Sequence, residues 1–439
     1  MQIGLGIGTT FRQKWVPSLT EQIRSLLFSA SEQGAWYDPS DMSTLFQDSA
    51  GTTPVTALEQ PVGRMLDKSG RGNHATQATT TKRPTYSRRV NCIGSADTRT
   101  LANATLLKSG TGLTPIVTPN YAMAPDGTMT AIRVQVDCGS GLTSTDYSLV
   151  SAGFPTGQAQ LGGAKYITKY WMRATSGTAS VIVVGAGANA IPQTLTETWT
   201  LISLSETGIA GSGFALRISS GGGVPATRGA QDVLVWQPQL ILAADQNLPY
   251  QWNQSATDYD ADPAKFPAYL RWDGVDDALS TGNIDFTSTD KMTVWAGVFK
   301  SDAAAGTQHV AYSNGDDFNG FAVYANSNRW IGYSSGATGY AIAADPLSIA
   351  NTQNSVLAVS ADQIAPYSRI RRDYKQVMAS TAAQGGGGYG NRRLHIGARA
   401  GTSLYFNGRL YSLIIRGAQS SLSQIEATEA YIKQKMRLP

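Results

Sequence analysis

A chain of 439 residues, 41% hydrophobic and 15% charged, is long enough for two or three domains, each with its own core. Its net charge of +4 is small for that length and argues against nucleic acid, which needs clustered Lys/Arg. No apolar run approaches the roughly 18 residues that would span a membrane.

The first 17 residues read as a Gly-rich arm. "MQIGLGIGTTFRQK" has neither a basic n-region nor a long apolar core, so it is not a secretory signal. "SLTE", 18–21, is a capping box in which Ser18 accepts from the Glu21 amide and Glu21 reaches back. Ile23, Leu26 and Leu27 follow at helical spacing, and Gly34 can close the helix. The stripe must pack on its own domain or on a neighbouring subunit.

From Ala35 onward the pattern is almost wholly β. Period-2 runs include "KYITKYWMRA" (165–174), "DVLVWQPQL" (232–240), "KMTVWAGVF" (291–299), "RWIGYSS" (329–335) and "LYSLIIRG" (410–417). Gly, Asn, Asp and Pro clusters separate such runs, a spacing that suggests sandwiches or jelly rolls rather than βαβ units. The chain closes with a second helix. Ser421 and Gln424 form its capping box, Leu422, Ile425, Ile432 and Met436 share a face, and Glu429 and Lys433 are spaced to pair. Composition shifts near residues 90 and 255, and "DPAKFPAYLRWDG" carries two prolines that read as a linker. Residues 36–90 hold strands and turns but too few residues for a core.

Cys92 and Cys138 form no Cys-x-x-Cys and no Cys/His pair at ligand spacing, which excludes a zinc site of the usual pattern. A disulfide between them requires the two to face each other, and free thiols are the expected state for a protein made in a cytosol. "VIVVGAGANA", 181–190, mimics a dinucleotide-binding turn, but "IPQTLTETW" follows where a helix is required, so it reads as a hairpin. The basic run "RIRRDYK", 369–375, reads as a solvated strand edge.

Four segments carry a resemblance: "WYDPSDMSTLFQDSAGTTPV" (36–55), "VGRMLDKSGRGNHATQAT" (62–79), "LRWDGVDDALSTG" (270–282) and "FNGRLYSLIIRGAQSSLSQIEATEAYI" (406–432). Together they resemble tailed-bacteriophage virion proteins with a concanavalin A-like (laminin-G-like) sandwich. In simpler relatives the "DKSG.GNHATQAT..RP" segment runs almost directly into "DGVDD". Here about 180 residues intervene, and "APDGTMTA" (124–131), "YITKYWMRA" (166–174) and "DVLVWQPQL" within them resemble the carbohydrate-binding-module-like jelly rolls of phage tail proteins. The resemblance implies a mainly β chain of two sandwich or jelly-roll domains, one inserted in the other, with short terminal helices. The sandwich would occupy 36–90 plus 268–439, the insert 91–255 and a linker 256–267. Residues 1–35 would form an arm and helix for virion docking or oligomerisation, using Ile23, Leu26 and Leu27.

The function implied is that of a non-enzymatic tail receptor-binding or fibre-tip protein. It would recognise a bacterial surface polysaccharide, either lipopolysaccharide or capsule, during adsorption. It would be made in the host cytoplasm, sit in the virion with other tail proteins, and assemble as a homo-oligomer, expected as a trimer. A structural baseplate or decoration protein and a polysaccharide depolymerase are the alternatives. Fold alone does not choose among them.

The candidate glycan-binding residues are Tyr324, Trp330, Tyr333 and Tyr340, close in sequence amid Asn326, Asn328 and Arg329, together with Trp252 in "PYQWNQS". Aromatic faces stack on pyranose rings while Asn and Arg bond hydroxyls. Trp171, Trp199 and Trp236 lie in apolar strands and read as core. No cofactor is required. Calcium is the cation that Asp-rich turns would take, at Asp273, Asp276 and Asp277 or at Asp316 and Asp317, although Asp and Gly also shape tight turns without one. His74, His309 and His395 are scattered, and no short run of paired Glu of the kind glycoside hydrolysis uses stands out.

Overall fold

The structure is a computed structural model that describes residues 18–156, 158, 160–301, 306–314, 318–349 and 353–439. The arm 1–17 and the candidates Asp316 and Asp317 lie outside the described residues. Among the described residues the fold is mainly β, with antiparallel sheets and two short α-helices, α1 (Leu19–Phe28) and α2 (Leu422–Lys435).

Two of the sheets draw on both ends of the chain. In one, Asn407–Arg416 pairs with Gly34–Tyr37 near the chain start, with Lys291–Lys300, and with Tyr269–Asp273. Tyr269–Arg271 in turn pairs with Thr85–Ser87, so the strands on either side of residues 88–268 are hydrogen-bonded neighbours. The facing sheet runs from Leu45–Phe46 through Leu279–Asp285 and Thr307–Ser313 to Gly320–Asn326, Arg329–Ser335 and Tyr340–Ala344. Their shared core includes Val294, Leu357, Leu413 and Ile415 from the first sheet and Phe321, Val323, Trp330 and Ile396 from the second. The central strand Lys291–Lys300 is buried along both faces. Alternate residues explain this: Val294 and Ala296 face the sandwich core, while Trp295 joins Ile425 and Ile432 of α2 in a separate cluster.

Residues 105–242 form two further five-stranded sheets. One is built on Lys165–Ala174 and Ala230–Leu242, the other on Ala179–Val184, Phe214–Gly221 and Tyr147–Gly153. The hairpin expected in "VIVVGAGANA" is present, with Ala179–Val184 antiparallel to Ile191–Leu195. Both cysteines are free.

The structure departs from four of the sequence expectations. The stripe of α1 does not await a partner: Ile23 and Leu27 are 3% and 0% exposed, Leu26 packs at the edge of the same cluster, and the Gln424 side chain of α2 donates to the Leu26 carbonyl at 2.9 Å. Sequence spacing shows that a stripe exists but not what covers it. Leu27→Ala is therefore expected to cost about 2–3 kcal/mol of stability and to leave the mass by light scattering unchanged. A lower mass at an unchanged melting temperature would restore the docking reading.

The segment 256–267 is not a free linker, since Tyr259 and Phe266 are buried and Arg88 donates to the Phe266 carbonyl at 2.7 Å. Glu429 does not serve Lys433. Its buried carboxylate takes Arg371 at 3.0 Å, while Lys433 lies over the Tyr374 ring. The basic run is thereby only partly solvated, because Arg372 also pairs inward with buried Asp345 at 2.8 Å.

Candidate functional site

Strand alternation builds the site. On Gly320–Asn326, Phe321, Val323 and Ala325 point into the core and Tyr324 points away. On Arg329–Ser335, Trp330 and Tyr333 are three apart and so lie on opposite faces. Trp330 is 0% exposed within the core and cannot stack on any ligand, which removes it from the candidates. Tyr333 shares the outer face with Tyr324.

The register then assembles an aromatic step. Ser335 faces Tyr340 across the next pair, and the Tyr333 and Tyr340 rings stack with centroids 5.8 Å apart and planes 27° from parallel. His309 faces Tyr324, stacked at 4.9 Å and 20°, and meets Tyr312 edge-on at 5.3 Å. Tyr340 is 56% exposed, so the step rises from a buried histidine to a solvent-facing tyrosine. A cavity of about 260 Å³ opens beside it, lined by His309, Asn314, Tyr324, Asn326, Tyr333 and Arg399 among others.

His309, a scattered histidine in the sequence, is the lining residue that the glycan-binding candidates do not include. It is 5% exposed, and its Nδ1 has no hydrogen-bond partner among the described residues. Burial first, and the nearby Arg399 charge second, push its pKa down to about 4, so the ring is neutral at physiological pH. A neutral imidazole offers one donor and one acceptor. Its only sequence signal is position: it sits in a strand that pairs with the tyrosine strand. Chemically, the arrangement is a set of flat faces beside amide, imidazole and guanidinium groups, suited to holding a ring that carries hydroxyls.

Trp252 lies elsewhere, in the segment that follows the strand Ala230–Leu242. It is half-buried, with the Arg99 guanidinium 4.0 Å from its ring centroid. Trp171, Trp199 and Trp236 are also half-buried, which corrects their reading as core. Trp171 faces Trp236 directly, while the neighbouring Tyr170 and Met172 take the inward positions.

The carboxylates of Asp273, Asp276 and Asp277 offer oxygens within 4.8 Å of one another. Asp273 Oδ1 accepts from the amides of Val275, Asp276 and Asp277 at 2.8, 3.2 and 3.4 Å, and Asp277 Oδ2 accepts from the Asp273 amide at 3.0 Å. In a cation cage the oxygens converge on one centre, whereas here Asp273 Oδ1 and Asp277 Oδ2 are turned onto amides of their own turn. Burial, then the Asp273 charge, push the Asp277 carboxyl up to about 7. A carboxyl raised above its unfolded value binds its proton more tightly when folded. Stability therefore falls as pH rises from about 4 to 7, and the loss is complete above that. Asp277→Asn is expected to gain about 1–3 kcal/mol on the parent between pH 5 and pH 8, read from urea melts at each pH. A bound cation reverses the pattern: calcium would then raise the parent's melting temperature at pH 8 and leave the variant unmoved.

Neither a family model nor a curated protein matches the chain. Among solved structures it is similar to the sialidase CBM40 of Ruminococcus gnavus bound to α2,3-sialyllactose, at 13% identity over 34% of this chain and 97% of that one, TM-score 0.27. It is also similar to the heptameric SAP-like pentraxin of Limulus polyphemus, at 11% identity over 38% and 82%, TM-score 0.31. A third is the type G botulinum neurotoxin receptor-binding domain, at 10% identity over 39% and 43%, TM-score 0.29. Likenesses this distant carry no function to the chain.

Proposed function

We propose that the protein is a glycan-binding component of a phage tail that recognises a bacterial surface polysaccharide and does so without catalysis. The stepped face of Tyr340, Tyr333 and Tyr324 beside a polar cavity supports this reading most directly. Core packing does not account for an aromatic row on the outer face of a sheet. The phage setting rests on the sequence resemblance. With α1 folded onto α2, trimer formation falls to other surfaces. The test is binding of the purified protein to intact bacteria and to the same bacteria stripped of surface polysaccharide. Saturable binding lost on stripping is the expected result, and equal binding to both removes the glycan reading.

One observation favours a second reading, depolymerase activity. Asp273 and Asp277 line a cavity of about 470 Å³ at the seam with the insert, and a carboxyl near pKa 7 beside a second carboxylate suits general acid–base work. Release of reducing ends from polysaccharide, abolished by Asp277→Asn, would establish it. By contrast, Ser280 Oγ meets His395 Nδ1 at 2.8 Å, but among the described residues no carboxylate bonds the other ring nitrogen, so the pair lacks the orienting member of a triad.

A further inference from the structure

A second cleft lies in the insert. Trp171 faces Trp236 and Lys169 faces Gln239, so Gln237 and Pro238 oppose Tyr170 alone, which is a β-bulge. Gln237 sits at φ +52°, in the left-handed region that non-glycine residues avoid. The strand Ile116–Ala122 carries its own register shift between Thr118 and Ala122, and Asn120, at φ +52°, lines the same cleft. Gln237 and Asn120 both line one cavity of about 490 Å³, and of the two backbones only that of Gln237 is strained, since Asn adopts the left-handed region readily. Strain of this kind costs on the order of 1–3 kcal/mol per residue and persists where the surroundings hold it, often at ligand sites.

Trp236 forms the wall, and a relay fixes its ring. Its Nε1 donates to Thr130 Oγ1 at 3.1 Å, Thr130 meets Thr128 Oγ1 at 2.6 Å, and Thr128 donates to Asp126 Oδ1 at 2.7 Å. The opposite rim holds Asp97, Thr98 and Tyr250, with Tyr250 donating to Thr98 Oγ1 at 2.8 Å. Arg99 is committed to Asp97, to Gln254 and to the Trp252 ring. Asp126 has no cation against it among the described residues, so the rim keeps a negative charge.

We infer that this cleft is a second saccharide site, specific for neutral or amine-bearing hexopyranoses and closed to sugars that carry a carboxylate or phosphate. The indole supplies the flat apolar plate, and the threonine hydroxyls and carboxylate supply acceptors for ring hydroxyls. The Asp126 charge repels an anionic sugar. The site extends the glycan-binding reading but stands on different residues from the tyrosine step, so each can fail alone.

The experiment is saturation-transfer NMR of the full chain with free hexoses, N-acetylhexosamines, glucosamine and glucuronate as probes. At least one neutral or amino sugar is expected to give a signal that survives Tyr333→Ala. That signal should fall at least fivefold in Trp236→Ala and be largely kept in Trp236→Phe, with glucuronate silent at this site. Asp126→Asn, at an exposed position, should leave the melting temperature unchanged and admit glucuronate. The inference is overturned if no probe depends on Trp236, or if glucuronate binds the parent cleft as well as glucose does. Loss of Tyr333-dependent binding with Trp236-dependent binding kept would sink the tyrosine site and leave this one standing.

Discussion

Replacing Asp245 with alanine is expected to destabilise the folded chain by about 3–5 kcal/mol. Asp245 follows the long strand Ala230–Leu242, and its Oδ2 meets Arg409 Nη1 of the strand Asn407–Arg416 at 2.7 Å. The side chains are 1% and 8% exposed, so neither charge has much water to return to. The guanidinium also lies 4.6 Å from the Tyr269 ring centroid and 5.3 Å from that of Phe299. Burial alone would lower the Arg409 pKa, but Asp245 and the neighbouring tyrosines hold it well above the ordinary value. Removing Asp245 leaves an uncompensated buried cation, and that penalty, rather than the worth of the pair, sets the size of the effect. The double change Asp245→Leu with Arg409→Met should therefore recover most of the loss, because well-packed apolar side chains often replace a buried ion pair without cost. Urea unfolding of both proteins checks it. A loss below about 1 kcal/mol in Asp245→Ala would mean that water reaches the seam.

The seam shows where sequence reading stops. Asn91 and Arg409 are each more than a hundred residues from the segment that carries Asp245, Gln251 and Asn253, and each of the five is an ordinary polar residue within its own segment. Only the fold brings Gln251 Oε1 to the amides of Val90 and Asn91 at 2.7 and 3.0 Å. Period-2 runs and capping boxes were legible because they depend on neighbours in sequence, and both helices start at the residues their boxes indicate. What covers a helix stripe was not legible, as α1 shows. Nor was the outward turn of Trp171 and Trp236. Their strands are rich in apolar residues on both faces, and the bulge at Gln237 shifts the phase. The tyrosine step was half legible. Tyr324, Tyr333 and Tyr340 come together, yet counting by twos along Arg329–Ser335 already separates Trp330 from Tyr333. His309 required the pairing of its strand with Gly320–Asn326, which no local pattern announces.

That split between Trp330 and Tyr333 gives the sharpest functional test, because the two aromatic residues are three apart and have opposite roles. Trp330→Ala empties a fully buried site beneath the sheet and is expected to cost about 3–5 kcal/mol of stability. Any binding it loses would be lost through unfolding, in step with the fall in folded fraction. Tyr333→Ala removes a half-buried ring from the outer face, where the neighbours are Tyr340 and the cavity. Its stability change should stay near 1 kcal/mol, the worth of one aromatic contact. Its effect on polysaccharide binding should be about tenfold or more, since each 1.4 kcal/mol of lost contact is a factor of ten. Tyr340→Ala should weaken binding less, because its ring is the most exposed of the three and gives up the least desolvated contact. Tyr333→Phe keeps the ring and should keep most of the affinity if stacking dominates. A fall as large as that of alanine would assign the contribution to the phenol hydroxyl instead. Calorimetric titration with purified polysaccharide, run beside thermal melts of the same samples, separates these outcomes. If Tyr333→Ala and Tyr340→Ala both bind like the parent while fully folded, the outer face of this sheet is not where the glycan sits.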